Sequence, residues 1–257
     1  LANAAGHDIN YISISGALAA IGRKDSPPVP PLNLIGDFGG GGMLLALGVV
    51  AALLETKTSG KGQVIDAAMT DGSSLLMTMI YSMHQSGFWN LDRQSNLLDG
   101  AAHFYDTYEC ADGKYISIGS IEPQFYSLLC QIAELPESEF GEQMKRDTWQ
   151  HKKDLISKVF LNKSRDEWCK LMEGTDVCFA PVLDMSEAPS HPHNVARQTF
   201  IEIEGVTQPA PAPRFNRTEN EITLPPALAG EHSKEILETL GLGQDEVNRL
   251  ISSGSVA

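Results

Sequence analysis

The chain has 257 residues, a formal net charge of −14, 42% hydrophobic residues and four cysteines. That hydrophobic share excludes a disordered protein, and the length gives one or two domains with a sizeable core. The acidity speaks against a nucleic-acid binder, whose non-specific affinity comes from cations that neutralise phosphates. The chain opens on Leu1 with no basic-then-apolar signal segment, and it reads as a partial or processed piece of a non-secreted protein.

In chain order, Gly6-His7-Asp8-Ile9-Asn10-Tyr11 first places a histidine beside a carboxylate. Residues 9–21 read as a short helix that carries Ile12, Leu18 and Ile21 inward. The proline-rich stretch 27–31 is a stiff connector that delivers Asn33 and Asp37 to a helix start. After the glycines 39–42 comes an almost wholly apolar run, 43–54. Met43, Leu47, Val50 and Leu54 share a stripe and the opposite side is apolar too, which predicts a buried helix. At twelve residues the run is short of the about 20 that a bilayer requires. A helix preceded by glycines presents bare N–H groups and a positive dipole end, suited to Asp37 or to an enolate oxygen. The helix should end near Thr58 in the turn Ser59-Gly60-Lys61-Gly62, with 63–68 a strand carrying Val64 and Ile65 into a sheet core.

Residues 69–87 read as one helix with a Met and Leu stripe that suits a core or a subunit interface, and 88–96 as a crossing segment. A hairpin follows, 104–110 and 114–119, turning at Asp112-Gly113 and putting Ile116 and Ile118 on one side. Glu122-Pro123 starts a helix. Further helices are expected around 148–161 and 164–174, the latter opened by Ser164 and Glu167 as a capping box, and a strand at 177–182. Residues 205–228 are proline-rich and extended, and two short helices, 233–240 and 245–251, close the chain. The cysteines Cys110, Cys130, Cys169 and Cys178 lack metal-ligand spacing and read as reduced, and His191-Pro192-His193 reads as loop chemistry and not as a metal site.

The chemistry these residues suggest is proton transfer at a carbon next to a carbonyl. Inverting such a carbon takes one group to remove the proton and another to return it to the opposite face. A histidine, which ordinarily titrates near pH 6.5 (about), and an aspartate, near about 3.9, can each do half. Equally, a His-Asp dipeptide can be a cap or surface pair, and a Gly-Asp before a helix an ordinary N-cap.

Several ordered motifs resemble the α-methylacyl-CoA racemases of the family III CoA-transferase superfamily. They are Gly6-His7-Asp8-Ile9-Asn10-Tyr11, Pro31-Leu32-Asn33-Leu34, Asp37-Phe38 with its glycines, Gly60-Lys61-Gly62-Gln63-Val64-Ile65-Asp66-Ala67 and Ile121-Glu122-Pro123-Gln124-Phe125-Tyr126. The similarity continues through Asp176-Val177-Cys178, Pro181-Val182-Leu183 and Gly230-Glu231-His232. It implies that His7 and Asp37 are the two proton-transfer groups and that Glu122 orients the histidine. Asp8, Tyr11 and Asn33 would line the thioester and pantetheine end, with the Asp8 N–H facing the thioester oxygen and Gly39 and Gly40 at the helix start. Where the family reads Asp-Gly-Gly-Ala-Pro, this chain reads Asp99-Gly100-Ala101-Ala102-His103, a departure that bears on acyl-chain preference.

The implied fold is α/β: the remainder of a Rossmann-like large domain (1–68), a connecting helix and crossing segment (69–100), a small α+β domain (101–187), an extended return (188–228) and C-terminal helices (229–257). An intertwined homodimer is expected, with Glu122 reaching His7 of the other subunit. The resemblance also implies more chain before Leu1, holding the first half of the large domain and much of the nucleotide site. Up to residue 100 the only cations are Arg23, Lys24, Lys57, Lys61 and Arg93, in keeping with that. An acyl-CoA is the expected small-molecule partner, with no metal, redox cofactor, nucleic acid or membrane. The expected location is cytoplasmic, or peroxisomal or mitochondrial in a eukaryote. The rival readings are a CoA-transferase with Asp37 as covalent nucleophile and a non-catalytic, truncated remnant.

Overall fold

A computed structural model describes residues 3–222 and 224–256. Its first helix, α1 (Asp8–Ile14), is followed by a 3₁₀ turn at Leu18–Ala20, where one longer helix was expected. The break lies at Gly16, whose φ is +83°; a Cβ there would come within 2.6 Å of the Tyr81 hydroxyl, which donates to the Ser15 carbonyl at 2.7 Å.

A π-helix, Leu34–Met43, then runs without interruption into α2 (Leu44–Ser59). It ends as the sequence predicts: Gly60 adopts φ +72° and its N–H donates to the Thr56 carbonyl at 2.8 Å. Three expectations fail here. The apolar helix is not buried: Leu47, Val50 and Leu54 are 64%, 65% and 67% exposed, because the described residues supply no second layer over it. Its length also differs, since the twelve-residue apolar run is only part of a continuous helix, Leu34–Ser59. At 26 residues that helix is long and apolar enough to cross a membrane by length and composition. Nor do residues 63–68 form a strand; Val64 is 96% exposed and no ladder partner lies beside it among the described residues.

The predicted helix 69–87 is broken into α3 (Met69–Leu76) and α4 (Thr78–Gln85) at Met77. Hydroxyls account for the break. Ser73 Oγ donates to the Met69 carbonyl at 2.7 Å and Ser74 Oγ to the Thr70 carbonyl at 2.8 Å, back-bonding that bends helices.

The hairpin forms as predicted, β1 (Tyr105–Glu109) against β2 (Tyr115–Gly119), and β3 (Phe179–Val182) adds antiparallel to β2. Ile116 and Ile118 point into a core with Phe104, Tyr108, Trp149, Phe160 and Trp168. That core is covered by α5 (Pro123–Ile132), α6 (Glu137–Phe140), α7 (Trp149–Phe160) and α8 (Arg165–Met172). Helix α8 opens on the expected capping box: Ser164 N–H donates to Glu167 Oε2 at 2.8 Å and Glu167 N–H to Ser164 Oγ at 3.3 Å.

His103, part of the departure from the family motif, is fully buried in this core. Tyr126 gives its hydroxyl proton to the Phe140 carbonyl at 2.9 Å, so His103 Nε2 carries the proton that joins the two side chains at 2.8 Å. Burial first, and then the neighbouring Lys152 and Lys153 charges, push the imidazole pKa down to about 3. Between pH 6.5 and about 3 the unfolded chain therefore binds a proton that the folded one refuses. The stabilising contribution of neutral His103 is full above pH 6.5 and should fall with acidification by up to about 1.4 kcal/mol per pH unit. In urea titrations across that window, His103→Gln should flatten the pH dependence; an unchanged slope would assign the acid sensitivity to other groups.

The chain divides into two compact units, Leu1–Val182 and Leu183–Ala257, a coarser partition than the sequence suggests. The second unit holds α9 (Pro192–Arg197), β4 (Phe200–Ile203), β5 (Val206–Pro209), α10 (Ser233–Thr239) and α11 (Gln244–Ser252). The β4–β5 hairpin corrects the expectation of an extended return from residue 205. Glu204 and Gly205, at φ +49° and +81°, make the tight turn, and the prolines begin to interrupt pairing only at Pro209.

Candidate active site

The corner built by α1 and the π-helix gathers most of the predicted residues. His7 precedes α1, and its backbone N–H donates to Asn10 Oδ1 at 3.0 Å, which fixes the first turn and leaves the imidazole exposed. Tyr11 lies over Gly6, where a Cβ would stand 3.1 Å from the phenol oxygen. Asp8 turns the other way and is buried, 6% exposed. Its Oδ1 accepts the N–H of Asp37 at 2.7 Å, across 29 residues of sequence. Asn33 Nδ2 in turn donates to Asp37 Oδ2 at 2.5 Å. Asn33 follows Leu32, a non-glycine residue at φ +58°, in the left-handed region that such residues seldom adopt. Asp8, Asn33 and Asp37 thus form one hydrogen-bonded network, with His7 the direct neighbour of Asp8 and Tyr11 on α1.

The glycines are used differently from the expectation. Gly39 and Gly40 lie inside the π-helix and not ahead of a helix start, and N–H groups in such a helix donate to carbonyls five residues back. Phe38 N–H, bonded to the Asn33 carbonyl at 3.1 Å, is the first to do so. The N–H groups outside the ladder are those of residues 34–37, and Asp37's goes to Asp8. Gly40 is buried where the π-helix crosses α3: a Cβ on it would lie 2.6 Å from the Ser73 nitrogen, and one on Gly72 only 1.8 Å from the Gly40 carbonyl oxygen. The helix end that suits an anion is therefore one turn earlier than the glycine run suggests.

Glu122 stands in the N-cap position of α5, exposed and without a side-chain cap hydrogen bond, and among the described residues no hydrogen bond or ion pair joins it to His7 within the chain. Its backbone is well held: Gln143 Nε2 donates to the Ser120 and Ile121 carbonyls at 3.0 and 2.9 Å, and Ser120 Oγ to the Val177 carbonyl at 2.5 Å.

A cleft of about 770 Å³ in the first unit lies elsewhere, lined by Ile21, Arg23, Trp89, Tyr105, Asp106 and Phe179 among others, and by none of the predicted site residues. Asp106 meets Arg23 at 2.8 Å and Lys153 at 2.7 Å. Burial raises its carboxyl pKa, but the hydrogen bonds from Arg23 and Lys153 outweigh that and hold it below the ordinary value. No sequence signal marks this cluster, because its members are single charged residues from distant segments that only the fold brings together.

A family model described as CoA-transferase family III matches residues 1–233. The chain is similar to alpha-methylacyl-CoA racemase of Mus musculus, 44% identical over 253 residues, covering 96% of this chain and 66% of that protein. It is 42% identical over 257 residues to the Homo sapiens alpha-methylacyl-CoA racemase, with 96% and 65% covered. It therefore spans just under two thirds of the length of these relatives. Among solved structures, a CAIB/BAIF family protein from Brucella suis aligns with a TM-score of 0.72 at 19% identity, over 93% of this chain and 64% of that one, a likeness of fold.

Proposed function

Because the chain belongs to CoA-transferase family III, we propose that it serves a racemase that interconverts (2R)- and (2S)-2-methylacyl-CoA thioesters by 1,1-proton transfer at C2. The observation that carries this reading is the Asp8–Asp37 hydrogen bond, which ties the His7 and Asp37 motifs into one corner. The likeness to the two racemases supports it.

In this reading His7 and Asp37 face the substrate carbon from opposite sides. One takes the proton, an enolate forms, and the other returns a proton to the far face. The thioester acidifies the carbon, and the enolate oxygen is held by the Asp8 backbone N–H and the free amides at the start of the π-helix, so the scheme needs no metal or redox cofactor. Asn33 fixes the rotamer of Asp37. Glu122 orients the histidine of a second subunit in a homodimer. The exposed apolar side of α2 supports such an assembly, since an apolar face of that extent calls for cover.

The test is exchange in heavy water. The protein should place deuterium at C2 of a 2-methylacyl-CoA starting from either enantiomer. Movement of CoA to a free acid acceptor with no exchange at C2 would overturn the racemase reading and assign Asp37 as the nucleophile of a transferase.

A further inference from the structure

The start of the π-helix is capped in an unusual way. Asn33, in the N-cap position, makes no side-chain cap hydrogen bond and spends its amide on Asp37 Oδ2. The cap comes instead from Asp8, 29 residues earlier, whose Oδ1 accepts Asp37 N–H at 2.7 Å. Asp37 is thus held at both ends, its amide by Asp8 and its carboxylate by Asn33. Room for the cap depends on Gly36, which is buried: a Cβ at that position would lie 2.1 Å from Asp8 Oδ1 and 3.1 Å from the Ile12 side chain. A carboxylate at this helix end is also favoured by the helix dipole. The residue that supplies the cap is the direct neighbour of His7, so this hydrogen bond couples the segments bearing the two proposed proton-transfer groups.

We propose that the Asp8 carboxylate, in the space that Gly36 leaves, is a positioning residue that sets the distance between His7 and Asp37. This rests on the racemase reading of those two residues, and it gives the Asp8 side chain a task separate from that of its backbone N–H. Loss of the acceptor frees the first turn of the π-helix and lets Asp37 drift from the substrate carbon. A misplacement of about 1 Å is enough to slow a reaction about 10²-fold.

The experiment compares Asp8→Ala, Asp8→Asn and Gly36→Ala. The amide Oδ1 of Asn is still an acceptor, so Asp8→Asn should recover most of the rate that Asp8→Ala loses. Asp8→Ala and Gly36→Ala should cut kcat for C2 exchange by about 10- to 100-fold while KM changes by less than about threefold. Hydrogen exchange at the Asp37 amide, read by NMR without substrate, should be at least about tenfold faster in Asp8→Ala than in the parent, and near the parent rate in Asp8→Asn. Equal protection of that amide in parent and Asp8→Ala overturns the proposal, as does an Asp8→Asn variant no better than Asp8→Ala. The amide measurement does not depend on turnover. A parent protein that exchanges no C2 proton but loses Asp37 protection in Asp8→Ala would sink the racemase reading alone.

Discussion

His7→Ala and Asp37→Ala are each expected to slow C2 proton exchange by about 10²–10⁴-fold, the range that a general acid–base group contributes. The loss should not be symmetric. If each residue serves one face, the His7 variant should lose wash-in of solvent deuterium most severely from one enantiomer, and the Asp37 variant from the other. Both residues lie at solvent-accessible positions, His7 exposed and Asp37 partly so, and neither fills the core, so thermal midpoints should move little. That separates a chemical defect from a folding one. Equal and mild losses in both variants, with either enantiomer, would place the pair in binding.

The second large effect concerns a residue without a functional group. Gly72→Ala should destabilise the first unit by more than the about 1–3 kcal/mol of ordinary core overpacking. Its Cβ would lie 1.8 Å from the Gly40 carbonyl oxygen and 2.6 Å from the Gly40 carbonyl carbon, and backbone atoms cannot rotate away as a side chain does. Relief requires α3 to lift off the π-helix, and that helix carries Asp37. Activity should therefore fall together with the urea midpoint. Gly62→Ala is the control, since no atom lies within 4 Å of its added Cβ. A Gly72→Ala protein with the parent midpoint would show that the two helices are not in backbone contact.

These two effects differ in how they could be foreseen. His7 and Asp37 stand in motifs whose residue types and order suggest chemistry, so the proposed pair can be named from the chain alone. Gly72 sits in Thr70-Asp71-Gly72-Ser73, with nothing local to mark it. Its importance comes from one crossing of two backbones, which no local pattern encodes. The cluster of Arg23, Asp106 and Lys153 was hidden for the same reason, each partner being drawn from a different part of the chain.

By itself the sequence determined the elements whose causes are local. Alternation placed Ile116 and Ile118 on the core face of β2, Asp112-Gly113 closed the hairpin, Ser164 and Glu167 opened α8, and Gly60 ended α2. The tertiary structure decided what depends on a distant neighbour. Residues 63–68, although β-prone, stay irregular without a strand to pair with, and the apolar α2 stays exposed without a layer to cover it. The added His103 became a neutral core residue because the fold closed around it. The glycine run became the middle of a helix, not its start, because Asp8 reaches across 29 residues to cap the turn ahead of it. Periodicity and turn chemistry act within a few residues, whereas burial, pairing and capping at a distance exist only once the chain has closed on itself.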